Sequence, residues 1–199
     1  MTAFPNTAQP DRDWWSALWP DPENTLETLG IGGCDSLVDI CCGDGLFTIS
    51  AADLVSGPVY GVDLDGDLLS ALDARAEDRI ETIEGNAMAL PDLLSEPVAC
   101  ALLANTLHGV PEKTLLAEKI AAVLEPGGRF VVVNWVDAAP EKTLVLGKPR
   151  GPPAELRMTP EETIGSVEPA GFAARETLSV SPHHYAVIFE RATAIPESR

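Results

Sequence analysis

The stretch that most constrains this chain runs from Leu37 to Asp65, LVDICCGDGLFTISAADLVSGPVYGVDLD. Leu37, Val38 and Ile40 form a short apolar run suited to a strand buried on both faces. Cys41-Cys42-Gly43-Asp44-Gly45 is a tight turn. A helix with Leu46, Ile49, Ala52 and Leu54 on one side follows, and Ser56-Gly57-Pro58 stops it. Val59-Tyr60-Gly61-Val62 is a second strand that delivers Asp63 and Asp65 at its carboxyl end. A βαβ unit of this kind opens a crevice above its strand ends, beside a helix N-terminus and a backbone that glycine lets a ligand approach.

Composition bounds the remainder. At 199 residues the chain is long enough for one domain with its own core. Thirteen Lys and Arg face 31 Asp and Glu, a net charge of −18. Nucleic-acid backbones need a basic face, so that class of partner is disfavoured, and so is an anionic membrane surface. No apolar run approaches a membrane span and no signal-peptide pattern opens the chain, so the expected location is cytoplasmic. Cys34, Cys41, Cys42 and Cys100 fit this reading: the adjacent pair is a poor structural disulfide, and no C-x-x-C metal spacing exists.

The pattern from Asp39 to Asp63 resembles the S-adenosylmethionine-binding half of the class I methyltransferases. In that family an acid and a spacer precede Gly-x-Gly-x-Gly. Here Asp39 and Ile40 precede Cys41, Cys42, Gly43, Asp44 and Gly45, with Cys41 in place of the first glycine. The substitution is tolerable if Cys41 keeps an ordinary negative φ. The resemblance implies that Asp39 orients the amino end of the methionine moiety and that Asp63, beside Leu64, takes the ribose hydroxyls. Gly85-Asn86-Ala87 stands where the family contacts adenine, with Asn86 in place of an acid and the Ala87 N–H against the ring. Asn105, after the apolar strand Pro97 to Ala104, stands beside the transferable methyl. The turn Leu124-Glu125-Pro126-Gly127-Gly128 matches the family as well. A nicotinamide fingerprint would need a third glycine where Thr48 stands.

The resemblance covers roughly residues 25–191 and is nearest to small-molecule enzymes of the ubiquinone/menaquinone C-methyltransferase type. It implies an α/β, three-layer, Rossmann-like doubly wound sheet of seven strands with the last antiparallel. The expected organisation is a tail and Trp-rich lid helix at 1–24, a methyltransferase domain at 25–191 and a tail at 192–199. The implied cofactor is S-adenosyl-L-methionine, its product S-adenosyl-L-homocysteine, with methyl transfer to a small-molecule acceptor by a monomer or homodimer and no metal. Two other readings stay open: a non-catalytic S-adenosylmethionine-binding protein and a nicotinamide-dependent oxidoreductase.

Substrate-side candidates follow from position. Trp14, Trp15 and Trp19 either dock a short helix on the sheet or wall the transfer site. His108 follows the fourth strand, and His184 and Tyr185 open the last; these three are the candidate catalytic groups, with alternation pointing only one of the last two inward. Asn134 and Trp135 end the fifth strand facing the cleft. Lys142 to Pro160 reads as an irregular loop over the site, where Arg150 and Arg157 either fork onto an acid group of the substrate or pair with Glu155, Glu161 or Glu162. Cys41 and Cys42 also raise the idea of a soft acceptor such as a thiol or metalloid. Thr159-Pro160-Glu161-Glu162 is a capping-box helix start.

Overall fold

The computed structural model describes Phe4, residues 9–76 and residues 78–193. The other residues of the expected tails, 1–3, 5–8 and 194–199, lie outside the described residues. Two short helices, α1 (Arg12–Leu18) and α2 (Pro22–Thr28), precede β1 (Leu37–Ile40). The chain continues as α3 (Leu46–Leu54), β2 (Val59–Asp63), α4 (Gly66–Asp73), β3 (Ile80–Glu84), α5 (Leu90–Leu93), β4 (Val98–Ala104), α6 (Lys113–Val123) and β5 (Leu124–Trp135). A hairpin of β6 (Leu144–Val145) and β7 (Lys148–Pro149), helix α7 (Pro160–Val167) and strands β8 (Phe172–Ser181) and β9 (His184–Arg191) complete it.

The main sheet has seven strands in the order β3-β2-β1-β4-β5-β9-β8. Strands β1 to β5 run parallel, and β9 enters antiparallel between β5 and β8. The expected architecture is therefore present, with β3 at one edge as its alternating pattern requires. Alternation sorts the central strands into two cores. Val38, Ile40, Ala101, Leu103, Phe130, Val132, Val187 and Phe189 pack with Leu90, Leu116, Ile120 and Val167 on one face. Leu37, Cys100, Leu102, Val131, Val133, Ala186 and Ile188 pack with Leu26, Leu29, Phe47 and Ala51 on the other. Burial on both faces explains why these strands read as unbroken apolar runs.

Local chemistry fixes the ends. The Asp65 carboxylate caps α4 by accepting from the Asp67 and Leu68 N–H groups. Thr159 and Glu162 form the anticipated capping box on α7, which ends near the left-handed Gly171. Two expectations are corrected. Lys142 to Pro160 is not wholly irregular, since β6 and β7 pair within it. Two of the four cysteines are not free thiols: Cys34, just before β1, and Cys100, on β4, form a disulfide across 66 residues of sequence. Their spacing carries no motif; tertiary pairing of β1 with β4 brings them together.

Gly45 is the pivot between turn and helix. Its φ is +82°, and a Cβ there would stand 2.3 Å from a methyl of Leu72, a fully buried side chain. Gly45→Ala combines a left-handed backbone penalty with an overpacked core, and should lower unfolding stability by ~2–4 kcal/mol. Gly165→Ala, inside α7 with nothing within 4 Å, should instead raise it by ~1 kcal/mol. Chemical denaturation of the two variants checks both signs.

Candidate functional site

Parallel pairing sets Ile40 beside Val62, and Asp39 beside Gly61 and Leu102, so β1, β2 and β4 end on one edge of the sheet. The turn after β1 is tied back into that edge. Cys42 N–H donates to the Val62 carbonyl at 3.1 Å, and Gly45 N–H to the Cys42 carbonyl at 3.1 Å. The Asp63 carboxylate accepts from the Gly43 N–H at 2.8 Å and from the Asp65 N–H at 3.0 Å. Cys41 departs from expectation. Its φ is +58°, in the left-handed region where a side chain costs roughly 1–2 kcal/mol. The turn keeps the conformation a glycine would give and carries the strain.

A cleft of about 460 Å³ opens above this edge. Asp39, Cys41, Cys42, Asn105 and His108 line its floor, with Trp14, Trp15, Trp135 and Arg150 around them. Asp39 is almost completely buried and accepts a 2.6 Å hydrogen bond from the Thr48 hydroxyl. Burial pushes its carboxyl up to about 7, and the Asp63 charge adds to this against the pull of the Thr48 bond. Burial likewise pushes the Cys41 thiol up to about 12 and the Cys42 thiol further. Both sulfurs are thiols at neutral pH, which removes the thiolate that soft-acceptor capture requires.

Asn105 also has a positive φ, +59°, while its N–H bonds the Val133 carbonyl at 2.8 Å. Its side-chain Oδ1 and Nδ2 are buried and bond none of the described residues. An amide left this way on the cleft floor has both a donor and an acceptor to offer a ligand. Asn86 and Ala87 follow β3, and the Asn86 Oδ1 accepts from the Met88 N–H at 2.9 Å. Gly43, Gly45, Asp63, Leu64, Asn86 and Ala87 lie along the same strand-end edge but outside the cleft lining.

The segment before α2 covers the turn. Gln9 Nε2 donates to one Asp44 oxygen at 2.9 Å and Arg12 to the other at 2.9 Å, while Arg75 also reaches Asp44. The Gln9 side chain sits where a Cβ of Gly43 would be. Trp14 and Trp15 are thereby held in the cleft wall, and Trp19 packs below on Phe47 and His184.

Several sequence candidates sit elsewhere, for a common reason: consecutive residues of a strand face opposite layers. His184 faces the α1–α3 layer and is fully buried behind Trp135, with ring centroids 4.2 Å apart. Its Nδ1 lies 3.0 Å from the Ser181 hydroxyl, and burial holds the ring well below the usual histidine range, with His183, Arg157 and His108 adding to this. Tyr185 and Asn134 face α7. The phenol oxygen is 2.7 Å from the Thr163 hydroxyl and 2.9 Å from the Met158 carbonyl, and Asn134 Nδ2 donates to Thr163 at 3.3 Å. These two close the α7 side of the core and do not reach the cleft; burial raises the Tyr185 pKa above its ordinary value. His184 is neutral and screened by Trp135. Of the three catalytic candidates, His108 alone lines the cleft.

Arg157 pairs neither with a substrate subsite nor with Glu155, Glu161 or Glu162. It is buried and donates to four acceptors: the carbonyls of Pro152 (3.0 Å), Ala138 (2.7 Å) and Arg150 (3.1 Å), and the Thr143 hydroxyl (2.9 Å). It ties down the loop that brings Pro149 to Pro152 over the cleft. The sequence offered no signal for this, because the partners are backbone atoms.

Comparison with known proteins agrees with this geometry. Residues 37–128 match the family model described as a methyltransferase domain. The chain is 31% identical over 120 residues to the demethylmenaquinone methyltransferase of Bacillus licheniformis, covering 58% of this chain and 50% of that one. It is 34% identical over 128 residues to the corresponding protein of Lactococcus lactis, covering 61% and 48%. The match thus spans about half the length of these curated relatives. A solved S-adenosylmethionine-dependent methyltransferase from Aquifex aeolicus superposes with a TM-score of 0.73 at 20% identity, covering 92% of this chain and 93% of that one. Over residues 37–128 the chain thus matches a methyltransferase domain and is similar to the demethylmenaquinone methyltransferases, and its fold is that of a solved S-adenosylmethionine-dependent methyltransferase.

Proposed function

We propose that this protein is an enzyme that transfers a methyl group from S-adenosylmethionine to a small-molecule acceptor held in the cleft. The observation that carries the reading is the buried Asn105 amide, without a partner among the described residues, in a cleft that also contains Asp39 and His108. The working unit is residues 25–191, with 1–24 supplying the tryptophan wall. A monomer or homodimer completes the reading; no helix among the described residues is long and apolar enough to cross a membrane.

S-adenosylmethionine, when bound, supplies an electrophilic methyl group on a sulfonium sulfur. Asp63 would take the ribose hydroxyls with the lone pairs left over from Gly43 and Asp65, beside Leu64. Asn86 and Ala87 would hold the adenine edge. Gly43 and Gly45 let the backbone come close, and Cys41 contributes its backbone in the same conformation. Asp39 would face the amino end of the methionine moiety; a positive group there favours the carboxylate and draws its pKa down from about 7. Asn105 would donate and accept at the same end. On the acceptor side, Trp14, Trp15 and Trp135 exclude water and orient the nucleophile, which is most of what an in-line displacement requires. His108 takes a proton from a carbon or phenol acceptor at a ring nitrogen.

Three outcomes are expected. Calorimetric titration with S-adenosylmethionine and with its demethylated product should show micromolar binding to wild type, weakened at least about tenfold in Asp63→Ala. With an acceptor found by methyl-group tracing, His108→Ala should lower kcat about 100-fold or more while cofactor affinity is retained. Asp39 gives a pH signature. An acid whose folded pKa of about 7 lies above its ordinary 3.8 stabilises the native state below pH ~4, and this is lost as the pH rises through 7. Asp39→Asn should therefore be more stable than wild type at pH 8, by ~4 kcal/mol, with most of the gain gone at pH 4. Denaturant titration at the two pH values checks it.

A further inference from the structure

We infer that Arg150 is an anion anchor, and that the acceptor is a planar molecule bearing a carboxylate, stacked on tryptophan in the same cleft. The inference rests on the methyltransferase reading and names the substrate class for its second subsite.

The cations around the cleft differ in what they hold. Arg12 and Arg75 are committed to Asp44. Arg157 spends its donors on three carbonyls and a hydroxyl. Arg150 differs. It is half-buried, it lines the cleft, and its Nε is buried and bonds none of the described residues. No carboxylate of a described residue lies within 4 Å of its guanidinium, in a chain with 31 acids to 13 basic residues. Its guanidinium stands over the Trp14 ring, with Cζ 4.7 Å from the centroid. A buried Nε–H with no acceptor is costly, and a carboxylate can accept from it and from a neighbouring guanidinium N–H at once.

The backbone around Arg150 is fixed in advance. Its N–H donates to the Thr143 carbonyl at 2.9 Å, and its own carbonyl accepts from the Thr143 hydroxyl at 2.8 Å and from Arg157 at 3.1 Å. Gly151, with φ +97°, presses the loop so close to Trp135 that a Cβ would fall 2.8 Å from the ring. The anchor therefore starts from a preorganised loop, and only its side chain is left to order on binding.

The remaining walls set the shape of the ligand. Trp14 and Trp15 meet edge to face at 5.7 Å, and Trp135 lies across the cleft lining. Such surfaces favour a flat ring. The cleft is also electrically two-ended. Asp39 belongs to the β1 floor, where the positive end of the cofactor would lie, and Arg150 to the loop roof; Asp11 is the other charged group of the lining. An aromatic-walled pocket also suits an organic cation. Here the Arg150 guanidinium already occupies the Trp14 face, so a second cation would meet repulsion.

The test uses three flat probes of one shape: benzoate, benzamide and benzamidine. Binding to the full chain at neutral pH is read by quenching of tryptophan fluorescence. Benzoate should bind at least about tenfold more tightly than benzamide, and benzamidine most weakly. Arg150→Gln should abolish the preference for benzoate while benzamide binding is unchanged, and Arg150→Lys should retain part of it. Circular dichroism and calorimetry with S-adenosylmethionine on the same variants establish that fold and cofactor binding persist. Equal affinity for benzoate and benzamide, no quenching by benzoate, a preference for benzamidine, or a benzoate preference that survives Arg150→Gln would each overturn the inference. If wild type binds S-adenosylmethionine in those cases, the methyltransferase reading stands without it. An Arg150-dependent benzoate preference in a protein that binds no S-adenosylmethionine would retain the anion anchor and overturn the transferase reading.

Discussion

Everything at the strand-end edge depends on β1 being hydrogen-bonded on both sides, to β2 and to β4, and buried on both faces. A four-residue strand in that position has no freedom to shift. A one-residue slip would turn Val38 and Ile40 out of one core and push the Asp39 carboxylate into it. The turn that follows must therefore begin at one height, and its path is fixed by bonds to Val62 and Asp63 on the neighbouring strand. The strained φ of Cys41 is tolerable in this frame because the surrounding structure over-determines it.

The same rigidity explains the electrostatics. Asp39 is desolvated by its position in the sheet and is held by one hydroxyl, which leaves it poised near neutrality rather than firmly ionised. A fully solvated carboxylate would bind a positive group less strongly, because water would compete for it. At the other end of the cleft the arrangement is reversed: a cation stands on an aromatic ring with no acid beside it. The cleft lining thus holds groups of opposite charge, Asp39 and Arg150.

Much of this was legible in the sequence, and the parts that were not share a cause. The strand-turn-helix-strand from Leu37 to Asp65, the capping box at Thr159 and the closing antiparallel pair follow from local patterns that survive tertiary folding. The placement of His184, Tyr185 and Asn134 does not. Polar residues at strand ends look alike in sequence, and which face each takes depends on where β5 and β9 begin to pair. The φ of Cys41 was unreadable because a cysteine gives no conformational signal, and the bond between Cys34 and Cys100 because it depends on the β1–β4 register. Arg157 was read as a group for substrate or acids, whereas its partners are carbonyls that every residue possesses.

That last point reaches beyond the site. A guanidinium that holds main-chain oxygens is indifferent to the side chains those oxygens belong to. The loop over the cleft keeps its course through Ala138, Arg150 and Pro152 by contacts that substitution does not erase. Arg157 thus fixes the course of the loop without fixing which side chains the loop presents to the cleft.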